Sequence, residues 1–285
     1  MADLKLAAST FSYIYTESGL EASLHLRDMG FEAIEMIVFA PHCWPPLLSA
    51  TERQAYREQF AARGISLSSF CYPLLDNNPN APDALMRRYT LDRYREHIDL
   101  AAEWGCPYVV AIPGPVNSLI DPPYAWLLDW FVEGVKELVA HARGTGVEIL
   151  IENVPFTFLP TVDDMLKVLD LVGEPSVGVN FDVCNSAFIK EDPAAAIRKL
   201  GPRCKNVHIS DSGFDVFKHH GLGKPGGIVD PGPVAEALRA IGYEGYTVLE
   251  IIANKVLPDS TPDEDFLTSH AILRQHGWAD LRKQG

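Results

Sequence analysis

The chain is expected to fold as an α/β protein, a single (β/α)8 barrel spanning residues 1–285, on three observations. Eight short apolar runs alternate with eight helical patterns along the 285 residues. The unit length of roughly thirty-six residues suits one strand, one helix and their loops. Four of the runs end on, or just beyond, a side chain able to bind a metal or move a proton: Glu152, Asp182, His208 and Glu250.

The strands are expected in chain order. LKLAAST (4–10) is the first, followed by a helix through GLEASLHLRDMG that stops at Gly30. FEAIEMI (31–37) is the second. The amphipathic stretch TERQAYREQFAARG then reads as a helix with Thr51 as N-cap and Gly64 as its stop. ISLSSFC (65–71) is the third strand, and the next helix ends at Gly105. PYVVAIP (107–113) is the fourth, and VEILIENVP (147–155) the fifth. TVDDMLKVLDLVG is a helix capped by Thr161, with acids in its first turn where the helix dipole favours them. SVGVNFD (176–182) is the sixth strand. Asp192 then caps a helix with Pro193 at its first position. KNVHIS (205–210) is the seventh strand and YTVLEII (246–252) the eighth, with a last helix near 263–276.

Alternation of this kind implies parallel strands joined by helical crossovers. In a closed barrel the active site lies at the C-terminal ends of the strands. A doubly wound open sheet would need a glycine-rich phosphate turn after the first strand, where this chain reads STFSYIY. The later GLGKPGG lacks the Lys-Ser/Thr ending of a phosphate loop.

Composition narrows the function. Hydrophobic residues make up 47% of the chain, enough for one large core. A net charge of −14 argues against a nucleic-acid partner, which ordinarily meets a basic patch. No apolar run reaches the length of a membrane span. The five cysteines, Cys43, Cys71, Cys106, Cys184 and Cys204, are odd in number and form no CxxC pair, so reduced thiols are expected. The N-terminal MADLKLAASTFSYIY lacks the layout of a secretory signal, and a cytoplasmic location is expected.

A lone glutamate at a strand end is ordinarily a solvated loop residue or an ion-pair partner. A lone histidine in a strand is ordinarily structural. Glu152, Asp182, His208 and Glu250 on four successive strand ends favour a single metal site instead. Their oxygen-rich set suits Mn²⁺ first, or Mg²⁺, while the imidazole also admits Co²⁺, Zn²⁺ or Fe²⁺. A divalent ion there would polarise a substrate carbonyl. Glu152 and Glu250, from the fifth and eighth strands, are the candidate pair for removing and returning a proton on carbon.

Further candidates line the expected pocket. Glu35, near the end of the second strand, suits a substrate or supporting group. His42 and Trp44 of APHCWPP could line its mouth. Asp211 could orient the His208 ring or meet substrate. His219 and His220 sit in the long loop after the seventh strand. Asn153 should point away from Glu152 if the strand stays extended. Cys184 lies close in sequence to Asp182, but a hard oxygen set disfavours a thiolate.

These residues, with GFEAIEM (30–36) and GYEGYTVLE, resemble the xylose-isomerase-like barrel superfamily, the sugar phosphate isomerase/epimerase group. That group includes ketose 3-epimerases, inosose dehydratases and endonuclease IV. The resemblance covers nearly the whole chain. It implies one divalent metal held by Glu152, Asp182, His208 and Glu250, a carbohydrate or cyclitol substrate, and a homo-oligomer as one form of assembly. It implies isomerase or epimerase chemistry, with a lyase such as a dehydratase or eliminase as the alternative outcome of the same proton abstraction. There are departures. Asn185 stands where many relatives place a substrate-touching histidine. The loop after Glu152, NVPFTFLP, is aromatic where the 3-epimerases carry an acid. SDSGFDVFKHH offers Lys218, His219 and His220 where they carry an arginine. The aromatic loop suits a larger or less polar substrate. An abasic-site endonuclease would need further ligands and a basic groove, and a non-catalytic barrel would tolerate loss of a rim carboxylate.

Overall fold

In the computed structural model, which describes residues 3–117, 119–252 and 260–281, eight parallel strands close into a barrel in simple sequential order. The extreme ends of the expected 1–285 domain lie outside these residues. The strands are β1 (Lys5–Ser9), β2 (Ala33–Ile37), β3 (Ser66–Cys71), β4 (Tyr108–Ala111), β5 (Glu148–Glu152), β6 (Gly178–Asp182), β7 (Cys204–Ile209) and β8 (Tyr246–Leu249). Closure comes from β8 pairing with β1, Lys5 opposite Tyr246 and Ala8 opposite Leu249. Each expected strand is present, trimmed at its ends where the backbone leaves the ladder. β8 stops three residues short of Ile252. Glu250 and Ile252 instead donate their N–H groups to the carbonyls of Ile209 and His219.

The helices are α1 (Gly19–Asp28), α2 (Ala50–Arg63), α3 (Ala84–Trp104), α4 (Tyr124–Ala142), α5 (Val162–Val172), α6 (Val183–Phe188), α7 (Pro193–Leu200), α8 (Pro231–Ala240) and α9 (Pro262–Gln275). Helices on the outside and side chains inside bury both faces of the sheet, so β2 and β6 are buried at every position. Four helices start on reciprocal capping boxes: Ser18–Glu21, Ser49–Glu52, Thr161–Asp164 and Thr261–Glu264. The expected caps Thr161 and Asp192 are present. Gly64 and Gly105 close α2 and α3 with φ of 61° and 72°, a conformation that costs glycine little.

Two expectations need correction. The cap of α2 is Ser49, not Thr51, which lies inside the helix. The serine-to-glutamate spacing of three closes the reciprocal pair, and Thr51 has no such partner. The short helix α6 was not expected. It starts directly at the tip of β6, where Asp182 accepts the N–H of Asn185.

Among the described residues, no helix is long and apolar enough to cross a membrane. All five cysteines are buried and free. Ser49→Ala should lower unfolding stability by about 1 kcal/mol, whereas Thr51→Ala should change it by only a few tenths. Urea unfolding of the two variants checks this, and equal effects would mean that Ser49 does not cap α2.

Candidate metal centre

Strand pairing brings the four expected ligands to one end of the barrel. Asp182 on β6 lies opposite His208 on β7, and Glu152 on β5 lies opposite Asn180, two residues before Asp182. Side chains two apart on a strand share a face, so all three point inward. Glu250 follows the last residue of β8 and completes the ring. One ligand atom from each of Glu152, Asp182, His208 and Glu250 lies within 4.8 Å of every other, and all four residues are buried. His208 Nδ1 is 3.7 Å from Glu152 Oε1, 4.0 Å from Asp182 Oδ2 and 3.5 Å from Glu250 Oε1.

The donor set fits a divalent cation. His208 Nδ1 and Asp182 Oδ2 have no hydrogen-bond partner among the described residues, although both are buried. Buried polar atoms are ordinarily satisfied. Here the two unsatisfied atoms belong to a group of four residues whose possible ligand atoms all lie within 4.8 Å of one another, a grouping that a divalent cation could satisfy.

The residues behind the ligands hold them in place. His208 Nε2 is 2.7 Å from Glu35 Oε2, which also accepts the Ser69 hydroxyl at 2.7 Å. Asn180 Nδ2 donates to Glu152 Oε2 at 3.0 Å, and Asn206 Nδ2 donates to Asn180 Oδ1 at 2.9 Å and to Ser69 Oγ at 3.4 Å. A continuous chain of polar contacts therefore crosses the barrel interior from Glu152 to His208. Asn153 works behind the strand tips. Its amide donates to the Asp182 carbonyl and accepts the Asp182 N–H, and its carbonyl accepts from the Asn185 amide. These bonds lock β5 to β6 with Glu152 and Asp182 side by side.

The other sequence candidates separate by position. Glu35 supports the His208 ring. His219 Nδ1 lies 3.2 Å from Glu250 Oε2 and 2.9 Å from Ser210 Oγ, so it borders the cluster. His220 directs Nδ1 to the Gly221 carbonyl at 2.9 Å. His42 has both ring nitrogens engaged within the protein, with the Glu17 carbonyl at 2.7 Å and Thr10 Oγ1 at 2.9 Å. Trp44 packs edge-on against Phe39 and His97. Asp211 collects the N–H groups of Ser212, Ile228 and Val229 on one oxygen and so shapes its own loop, while the partner of the His208 ring is Glu35. Cys184 directs its thiol to the Lys218 carbonyl.

Asn180, Asn206 and Ser69 were missed, although a signal was present. Asn180 and Asn206 stand two residues before Asp182 and His208 on their own strands, hence on the same face. Cys71 was not singled out as a neighbour either. It lies within ligand reach of Glu35 and Glu250. Burial and the nearby carboxylates push its thiol far above the usual range, which keeps it neutral and a poor ligand.

The electrostatics follow from burial. Desolvation raises the Glu152 carboxyl well above its ordinary range, opposed by His208. Burial likewise pushes Asp182 up to about 6, opposed by His219 and His208. Burial would raise Glu250 too, but contacts with His208 and His219 outweigh it and hold it low. For His208, burial favours the neutral ring, yet Glu35, Glu250 and Glu152 together drive its pKa well above the usual value. Protons and a divalent cation would therefore compete for the same atoms of the cluster.

The chain is a closed (β/α)8 barrel whose C-terminal end gathers three buried carboxylates and one imidazole that could hold a divalent cation. The comparison with known families is consistent with this fold. The family model described as xylose isomerase-like TIM barrel matches residues 24–276, and the chain belongs to that family. It is similar to fructoselysine 3-epimerase of Shigella flexneri, 27% identical over 79% of this chain and 82% of that protein. It is also similar to inosose dehydratase of Geobacillus thermodenitrificans, 25% identical over 77% of this chain and 79% of that one. A solved D-tagatose 3-epimerase-like protein superposes with a TM-score of 0.82 at 22% identity, covering 96% of this chain and 97% of the other.

Two outcomes test the centre. Because Glu152, Asp182 and His208 all have raised pKa values, metal uptake should release protons, and affinity should rise with pH from about 6 upward. Titration of Mn²⁺ in two buffers of different ionisation enthalpy measures the release; none at pH 6–7 would refute this competition. Glu35→Ala should weaken Mn²⁺ binding by roughly 10–100-fold, because the His208 ring loses the acceptor that orients it. Competition with a chelator reads that change.

Proposed function

We propose that the protein is a divalent-metal-dependent isomerase or epimerase of a sugar, keto-sugar or cyclitol, with Mn²⁺ as the preferred ion. The observation that carries this reading is that Glu152 and Glu250 are both buried, with Oε1 of each 3.7 and 3.5 Å from His208 Nδ1. A bound divalent ion would be held by Glu152, Asp182, His208 and Glu250, and would supply Lewis acidity that acidifies the carbon next to a carbonyl.

The protein's own groups account for the rest. Glu152 reaches the site from β5, two strands before the β7 strand that carries His208, and Glu250 from the end of β8, the next strand after it. A substrate lying between them meets one carboxylate on each face. One oxygen takes the proton from carbon, and the opposite carboxyl returns a proton to the other face, which inverts the centre. Asn180 holds Glu152 through Oε2, and His219 contacts Glu250 through Oε2. In both residues Oε2 is thus the braced oxygen, while the Oε1 atoms face His208 Nδ1. Burial keeps bulk water from the reacting carbon during the transfer, and the two carboxyl groups re-equilibrate their protons with solvent between turnovers.

The fructoselysine 3-epimerase relative supports epimerisation of a ketose. The inosose dehydratase relative supports the lyase as second reading. His219, next to Glu250, is placed to protonate a leaving hydroxyl in that case. The net charge of −14 and the five buried free cysteines suit a cytoplasmic enzyme of small carbohydrates.

The test is proton exchange in D₂O. Protein stripped of metal and reloaded with Mn²⁺ should exchange a carbon-bound proton of one ketose or inosose in a panel, without loss of mass other than the label. Glu152→Gln and Glu250→Gln, checked for full metal loading, should each slow exchange by about 10²–10⁴-fold. Loss of water would assign the lyase instead, and no exchange across the panel would remove both readings.

A further inference from the structure

Beside the metal centre the loops build an aromatic wall that the proposed chemistry does not use. Phe156 lies four residues after Glu152, Phe188 closes α6 six residues after Asp182, and Phe217 sits in the loop after β7. The three rings come from the segments that follow three ligand-bearing strands, and they touch one another. Centroid distances are 6.0 Å for Phe156–Phe188, 5.2 Å for Phe156–Phe217 and 4.9 Å for Phe188–Phe217. Phe217 also meets His219 edge-on at 5.0 Å, and His219 contacts Glu250. The wall is thus continuous with the site.

Phe188 and Phe217 are half-buried, and the open ring of the wall is Phe156. Phe156 is 52% exposed, and the neighbouring Phe214 and Val216 are each 54% exposed. Leaving such rings in water forgoes the stabilisation that burial brings. Nor is the wall loosely held. Val116 donates its N–H to the Phe156 carbonyl, Pro115 bridges to Thr157, and Thr157 folds back on the Val154 carbonyl through both N–H and hydroxyl. On the other side, the Ser212 hydroxyl accepts the Lys218 N–H, and the Lys218 carbonyl faces the Cys184 thiol. Phe156 and Phe217 are fixed by backbone bonds next to them, so the surface is formed before anything binds.

We propose that Phe156, Phe188 and Phe217 form an apolar subsite that takes a flat, apolar substituent, such as an aryl group, carried by the sugar whose polar ring lies at the metal centre. This rests on the function proposed above. The cluster offers carboxylate oxygens and a ring nitrogen, and the wall offers three aromatic rings. The two surfaces meet at His219. A substrate that fits both is a sugar with an apolar group attached, rather than a free sugar.

The test compares Mn²⁺-loaded protein binding phenyl and methyl glycosides of 3-keto-glucose, by calorimetry, with D-fructose exchange in D₂O run alongside. The phenyl glycoside should bind ~10-fold more tightly than the methyl glycoside. In the Phe156→Ala/Phe217→Ala double variant that ratio should fall towards one while Mn²⁺ stoichiometry is retained. Phe156→Leu/Phe217→Leu, which keeps an apolar surface, should retain part of it. A ratio near one in the wild type, a ratio unchanged in the alanine variant, or no binding of either glycoside would overturn the subsite. So would a wild-type dimer that the alanine variant splits on gel filtration, because the wall would then be covered by a second copy. Exchange with fructose and no aryl preference would leave the proposed function standing and remove the subsite. Aryl preference without exchange of any compound would do the reverse.

Discussion

The structure turns on the crowding of carboxylates around one buried imidazole. Two like charges about 4 Å apart repel by roughly 4 kcal/mol even at the effective dielectric typical of protein sites. Glu152, Asp182 and Glu250 converge on His208 Nδ1, and Glu35 lies on its other nitrogen. The imidazole and His219 offset part of this repulsion. A divalent cation would offset far more, and would also occupy the unpaired atoms His208 Nδ1 and Asp182 Oδ2. The centre is therefore a local destabilisation that a ligand relieves, placed in a scaffold able to carry it.

That scaffold is rigid for identifiable reasons. Parallel strands covered on both faces fix the register, and register decides which side chains share the interior. The chain Glu152–Asn180–Asn206–Ser69–Glu35–His208 uses interior positions that an apolar barrel would give to valine or isoleucine. These neutral amides and the hydroxyl hydrogen-bond to one another, with Asn206 Oδ1 left without a partner among the described residues, and they cost less to bury than charges do. They also restrict the rotamers of two ligands on opposite sides of the site. Asn153 adds a lock at the strand tips, where the β5–β6 ladder ends and Asp182 turns into α6.

Much of this was legible in the residues. Each strand was recognisable because a buried parallel strand is a short β-branched run between turn signals. The four candidate metal ligands were recognisable because each interrupts or ends such a run with a group that apolar packing would exclude. Ser49 was passed over because its partner Glu52 lies inside the helical pattern, and the reciprocal bond shows only when both ends are read together. The role of Asp211 was not legible either, since the three N–H groups on its carboxylate come from residues up to eighteen positions away. His42 carried the chemistry of a site residue, yet both its nitrogens are engaged by Glu17 and Thr10.

Local residue patterns identify the class of fold, the order of its strands and the four residues of the candidate centre. Those follow from hydrophobic periodicity and from the identity of groups at strand ends, both of which are local. Tertiary structure alone decided that Glu35 rather than Asp211 orients His208, that His219 borders the centre while His220 faces Gly221, and that three phenylalanines from three loops meet in one wall. Contacts between segments far apart in the chain depend on barrel closure and strand stagger, which local residue patterns do not encode.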